Sequence, residues 1–466
     1  MALPPSRSRA PLTRLVGADV AVPVADGGPR RYVDLDTAAS GPASLAVARA
    51  VEEFLPWYSS VHRGAGAKSQ VASARYEAAR DSVLRLVGAD PATHVAVWTR
   101  GTTEALNLLA FRLGLRPAGP GGAGDVVVTT AVEHHANLLP WRRHARLRVV
   151  DVAADGTFAV DDVVAALDAA PAPRVLAVTG ASNVTGWVPP LDALAAAARE
   201  RGVLLVVDAA QLAPHRPVDV ARRGLDAVAL SGHKLHAPFG AGALVVRRDL
   251  LRDGEPFQVG GGAVGAVSHE DVVWADGPDR EEAGSPNVVG AVALAAAADE
   301  LLAEGWEAVA AHDAALTAAL DEELATVPGL RRYGPGPGSD RLPVAAFTLD
   351  GLPHELLAAR LAAEHAVGVR SGCFCAHPYV ARLLGLAETD VTRFHDDVRR
   401  GDRHRLPGAV RASAGRGTSL EDVRALGAAL REIAATPGRA AEYAVGPDGH
   451  WQHRGEPAEV LSPAGR

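Results

Sequence analysis

Short apolar runs alternate along the chain with longer stretches in which apolar residues recur every three or four positions. The runs His94–Trp98, Asp125–Thr129, Leu147–Val152, Val175–Thr179, Leu204–Val207, Ala227–Leu230 and Ala243–Val246 predict strands. Between them Glu104–Arg112, Val160–Ala169 and Leu191–Arg201 carry the helical spacing. Such alternation predicts an α/β domain built on a mostly parallel, seven-stranded sheet. Leu204-Leu205-Val206-Val207 is apolar at every position, as expected of a strand covered on both faces.

After about residue 295 the texture changes. Alanine-rich helix patterns at Ala291–Glu304 and Ala308–Thr326 precede a strand pattern at Pro343–Leu349, with further candidates up to Ala435. The expected organisation is a flexible N-terminal leader at 1–30 and a large domain at 31–295, whose first part packs with a smaller α+β domain at 296–435. A polar tail at 436–466 completes it. Glycine-rich loops are expected at Pro117–Gly124 and Pro335–Gly338, and Pro447-Asp448-Gly449 is a turn signal in a tail that is either a hairpin or disordered.

Composition narrows the classes. The 466 residues are 48% hydrophobic and 22% charged, enough apolar material for a large core. A net charge of −8 gives no footprint for nucleic acid. No apolar run approaches the roughly 20 residues of a membrane helix. Met1–Leu15 carries Arg7, Arg9 and Arg14, but Pro4, Pro5 and Pro11 interrupt it, so a secretory signal is not expected. The only cysteines are Cys373 and Cys375. That spacing suits a disulfide poorly and fits a reducing, cytoplasmic setting. The only lysines are Lys68 and Lys234, against a large excess of arginine. A lysine kept in such a background suggests a need for an amine, because a guanidinium is a poor nucleophile.

Lys234 follows a predicted strand in Leu230-Ser231-Gly232-His233-Lys234. An amine in a cleft at a strand end can have its pKa lowered and carry Schiff-base chemistry; an ordinary loop lysine is the alternative. Val206-Val207-Asp208-Ala209-Ala210-Gln211 ends a strand in a carboxylate, where open α/β sheets bind ligands. Asp208 there can pair with a ring nitrogen or simply cap a helix. Thr99-Arg100-Gly101-Thr102-Thr103-Glu104 joins a strand to a helix, making either a phosphate site or a cap formed by Thr103. His134 and His135 follow another strand; they read as a ring-stacking surface or as satisfied loop histidines.

These motifs occur in one order: Thr-x-Gly-Thr-Thr-Glu-Ala, Glu-His-His-Ala-Asn, Ser-Asn, Asp-x-x-Gln, Ser-x-His-Lys, Gly-Gly-Gly and Glu-x-Gly-Ser-Pro. Together they resemble the class V family of pyridoxal-phosphate enzymes, and within it the cysteine desulfurase/selenocysteine lyase branch. The likeness runs from Tyr32–Ser40 through Val61-His62-Arg63-Gly64 to about Leu430. It implies fold type I, pyridoxal 5'-phosphate as cofactor, a small amino-acid substrate, a homodimer and a sulfur-acceptor protein. It also implies that Lys234 forms the Schiff base, Asp208 pairs with the pyridinium, Gln211 bonds the phenolic oxygen and His134 stacks on the ring. Thr102, Thr103, Ser231 and His233 would hold the phosphate, and Ser285 would add a hydroxyl across the dimer interface. Asn183 and Arg411 would hold the substrate carboxylate. No metal is implied.

Val369-Arg370-Ser371-Gly372-Cys373-Phe374-Cys375-Ala376-His377-Pro378 resembles the desulfurase loop, whose nucleophile lies five residues beyond the arginine. That position is Cys375, whose thiolate would take sulfur from cysteine as a persulfide and leave alanine. Two features depart from the branch. Ser413-Ala414-Gly415-Arg416-Gly417-Thr418 stands where an aromatic residue and an asparagine are common. A charged insert, Glu388 to Leu406, reads as a solvated loop suited to docking an acceptor or selecting substrate. The Gly-Cys-Phe-Cys core is also similar to the aminotransferase-like domain of molybdenum cofactor sulfurases. Transamination, epimerisation or carbon–sulfur lysis on the same cofactor is the alternative to desulfuration, and a non-catalytic cofactor or sulfur-docking protein is the third reading.

Overall fold

Side chains along the apolar strands alternate between two cores, which is why those strands show no polar face. The structure, a computed structural model, describes residues 10–62, 64–117, 124–401, 406–446 and 451–455. The central sheet contains β1 (His94–Thr99), β2 (Val126–Thr130), β3 (Arg146–Val150), β4 (Val175–Thr179), β5 (Leu204–Asp208), β6 (Ala227–Ser231) and β7 (Gly242–Arg247). Their order is β1-β7-β6-β5-β4-β2-β3. Only β7 runs against its neighbours. Leu205 and Val207 enter one core and Val206 the other, the period-two pattern of a pleated strand. The expected mostly parallel, seven-stranded α/β sheet is therefore present.

A second sheet follows, with β8 (Leu330–Tyr333), β9 (Val344–Leu349), β10 (Arg370–Gly372) and β11 (Ala409–Ser413). It is antiparallel in the order β8-β9-β11-β10. Helices Trp306–Ala325, His354–His365 and Leu420–Ala435 supply Leu316, Leu357 and Leu426 to its core. Val33 and Leu35 enter the same core, because Val33–Asp34 pairs in parallel with Val367–Gly368. Further upstream the Leu12 amide donates to the Arg416 carbonyl at 2.8 Å.

Several boundaries differ from the sequence expectations. The helix expected from Ala291 begins at Val288, where the Asn287 side chain accepts the Gly290 amide and satisfies a free first-turn donor. The insert read as a solvated loop contains the helix Glu388–Arg399, none of whose residues is buried. Ion pairs Arg393–Asp390, Arg399–Asp396 and Arg400–Asp397 brace consecutive turns at i,i+3 spacing. The tail forms a hairpin between Tyr443–Val445 and Trp451–His453. Residues 1–9, Arg63, most of the glycine-rich stretch at 118–123, positions 402–405 of the insert, the turn signal at 447–449 and residues 456–466 lie outside the described residues. Among the described residues no helix is long and apolar enough to cross a membrane.

Candidate active site

Parallel strands bring the turns after β1, β2, β4, β5 and β6 to one edge of the sheet, where they surround a cavity of about 270 Å³. Eleven of the twelve site residues proposed from sequence line it: Thr102, Thr103, His134, Asn183, Asp208, Gln211, Ser231, His233, Lys234, Cys375 and Arg411. The twelfth, Ser285, is exposed and lines a neighbouring cavity with Tyr76 and Trp98.

The first wall is the start of the helix Thr102–Arg112. Its N-cap is Gly101, with no side-chain cap. Thr103 is therefore not the capping residue, and Thr102 already lies inside the helix. The Thr102 amide donates to Ser231 Oγ at 2.9 Å, and the two hydroxyls also lie 2.9 Å apart. A Cβ added at Gly242 would lie 2.5 Å from Gly101 Cα, so only glycine lets β7 approach this turn so closely. Amides at an uncapped helix start, together with these hydroxyls, form an anion cradle.

Deeper in, Asp208 is buried at the end of β5, and its Oδ1 accepts the Ala210 amide at 3.0 Å. Burial raises its pKa against the opposing charge of Lys234. Burial pushes the Lys234 ammonium down to about 8, outweighing the attraction of Asp208. His134 is pushed down to about 4, by burial first and Lys234 second. Its Nδ1 accepts the Ala136 amide at 3.0 Å, so the neutral ring carries its proton on Nε2. The Gln211 amide nitrogen donates to the Ala38 carbonyl at 2.7 Å.

The second sheet closes the cavity. Arg411 on β11 pairs with Asp36 at 2.9 Å and donates to the Asn183 carbonyl at 3.0 Å. Its Nε is buried with no hydrogen-bond partner among the described residues. Phe374 and Cys375 both have φ of +54°, a left-handed conformation costing a side-chain-bearing residue about 1–2 kcal/mol. Two hydrogen bonds hold that turn. Asn183 Nδ2 donates to the Phe374 carbonyl at 2.8 Å, and the His135 amide donates to the Cys375 carbonyl at 2.7 Å. The Cys375 side chain is left exposed on the cavity wall.

Sequence reasoning passed over three groups. Asp36 holds both Arg411 and Arg370, the latter at 3.0 Å, and Arg370 itself lines the cavity. Glu133, fully buried, accepts Thr130 Oγ1, Asn137 Nδ2 and the Thr179 amide at 2.7, 2.7 and 3.1 Å. It ties the His134 turn to β4, and burial raises its pKa to about 8. Its place in Glu-His-His-Ala-Asn is the one sequence signal that marked it.

Residues 33–426 match the model of the aminotransferase class-V family. A cysteine desulfurase of Haloferax volcanii is 36% identical over 410 residues, covering 86% of this chain and 94% of that protein. A probable cysteine desulfurase 2 of Mycobacterium leprae is 39% identical over 376 residues, covering 79% and 88%. Among solved structures, the apo cysteine desulfurase of Thermococcus onnurineus superposes with a TM-score of 0.76 at 30% identity, covering 87% of this chain and 95% of that one. A cysteine desulfurase of Escherichia coli in its S-sulfonic acid form gives a TM-score of 0.73 at 32% identity, with the same coverage.

Proposed function

The chain belongs to the class-V aminotransferase family of pyridoxal-phosphate enzymes, and from that membership we propose that it is a cysteine desulfurase that collects sulfur on Cys375. The observation that carries the proposal is the convergence of Lys234, Arg411 and Cys375 on one cavity. The donors present fit the cofactor. The uncapped helix start with Thr102, Thr103, Ser231 and His233 would hold its phosphate, and Asp208 its ring nitrogen. Gln211 would hold the phenolic oxygen, the neutral His134 ring would stack on the cofactor, and the Lys234 amine would attach to it. When bound, the cofactor withdraws electrons from the carbons of the attached amino acid.

The chain's own groups would do the rest. The unpartnered Nε of Arg411 is the buried donor that a substrate carboxylate would satisfy, with Asn183 beside it. Lys234, once free, would hold or release the moving proton, its lowered pKa of about 8 lying close enough to neutral pH for either step. The Cys375 thiolate would attack the substrate sulfur. The carbon–sulfur bond breaks, a sulfur–sulfur bond forms, and alanine leaves. Ser285 is exposed and lines a neighbouring cavity rather than this one, so its hydroxyl would serve a second copy in a homodimer. Both cysteines are free, which suits a reducing cytoplasm, and the exposed Cys375 suits delivery to an acceptor protein.

Holoenzyme given L-cysteine and a reductant should produce alanine and sulfide, with a persulfide trapped on Cys375 by mass spectrometry. Cys375→Ser should abolish both products while leaving the cofactor absorption unchanged. Equal turnover in that variant refutes the assignment.

A further inference from the structure

The second cysteine does not stand alone. Cys373 Sγ lies 2.9 Å from His377 Nε2, and His377 Nδ1 lies 3.2 Å from His135 Nε2 with the ring planes 1° from parallel. The His377 backbone amide also reaches His135 Nε2, at 3.3 Å. An amide can only donate, so that nitrogen of His135 is an acceptor. His377 then carries its proton on Nδ1 and turns the lone pair of Nε2 toward the Cys373 thiol. The contacts thus fix one tautomer, with a base set against a thiol. Burial raises the pKa of the Cys373 thiol, with the Cys375 backbone opposing it, and the Ala376 amide donates to the Cys373 carbonyl at 2.9 Å, so both cysteines belong to one tight turn.

We propose that Cys373 is a second sulfur station, receiving the sulfane sulfur from Cys375 with His377 as its base. This rests on the reading of Cys375 as the persulfide-forming residue. The Cys373 thiol gives its proton to His377 Nε2, and its sulfur attacks the outer sulfur of the Cys375 persulfide. The sulfur–sulfur bond at Cys375 breaks and a new one forms at Cys373. The Cys375 thiolate leaves and takes the proton from His377. The transferred sulfur keeps its oxidation level, so no oxidant or reductant is consumed. In-line transfer places the two cysteine sulfurs about two S–S bond lengths apart, roughly 4 Å, against about 2 Å in a direct disulfide. The transfer also returns Cys375 to its thiol form, ready for a second turnover before any acceptor arrives.

The test is a rapid-mix experiment on holoenzyme with L-cysteine and no added reductant or acceptor, quenched in acid, alkylated and digested with trypsin. Cys373 and Cys375 fall in one peptide, Ser371–Arg382, whose fragmentation locates the extra sulfur. The wild type should carry it on both cysteines and release a burst of two alanines per protomer. Cys373→Ser should carry it only on Cys375 and release one. In His377→Ala the second alanine should lag the first by roughly 10²-fold more than in the wild type, the lower end for loss of a general base. Sulfur confined to Cys375 in the wild type with a one-alanine burst overturns the relay alone and leaves the desulfurase reading standing. A Cys373–Cys375 disulfide with free sulfide also overturns the relay. Extra sulfur on Cys373 in Cys375→Ser, or no alanine at all, overturns the underlying assignment and the relay with it.

Discussion

The Lys234 amine shares its cavity with Asp208, His134 and Arg411, and burial is the largest influence on the titration of all four groups. Because burial brings Lys234 down to about 8, its neutral, nucleophilic form is plentiful well below the usual lysine range of about 10.4. Cofactor-free protein should therefore recapture pyridoxal phosphate at a rate that climbs with pH through a midpoint near 8. A midpoint near the usual lysine value of about 10.4 would mean the amine behaves as if in water. Asp208→Ala should still bind the cofactor through Lys234 but lose at least roughly a hundredfold in turnover, about 2.7 kcal/mol of barrier. Wild-type rates in that variant would assign the ring nitrogen to another residue. Lys234 and Asp208 were legible in sequence because each ends an apolar run. Asp36 was not: its role depends on Arg411, 375 residues away, and no local pattern encodes that encounter.

At the level of elements, the pairing of helix Ala67–Val87 with the segment before Ser285 is the most charge-dependent joint. Arg80 reaches Glu282 through two nitrogens at 2.6 and 2.8 Å, with both side chains almost fully buried. Glu282 also accepts the Tyr76 hydroxyl and the Trp98 amide, at 2.6 and 2.7 Å. Arg80→Ala leaves that carboxylate buried beside no cation and should cost about 3–5 kcal/mol, read as a fall in unfolding midpoint. Arg80→Lys should recover only part, since an ammonium cannot copy the two-pronged contact; full recovery would show that charge alone matters. Strand and helix types were readable here, because both sheet faces are buried and the apolar runs are long. The helix Glu388–Arg399 was hidden, because nothing along it is buried and its order comes from local ion pairs and an acidic first turn.

Across the whole molecule, Asp36 fastens the chain entering the first sheet to two arginines of the second, Arg370 and Arg411. Asp36→Asn should free Arg411 to adopt other positions and raise KM for L-cysteine by about tenfold, ~1.4 kcal/mol, while alkylation of the exposed Cys375 keeps its rate. An unchanged KM would show that Asn183 and packing suffice to aim the guanidinium. The two-sheet architecture could be read from the change in texture near residue 295. The way the early segment threads into the later core could not, because Val33–Asp34 is too short to announce its partner strand. The burial of Lys234 has a practical corollary. Only Lys68, exposed near the start of its helix, remains open among the two lysines of the sequence. An amine-reactive dye or surface coupling applied to the holoprotein would therefore mark one defined side chain besides the chain's own amino terminus, giving a probe position without any engineered tag.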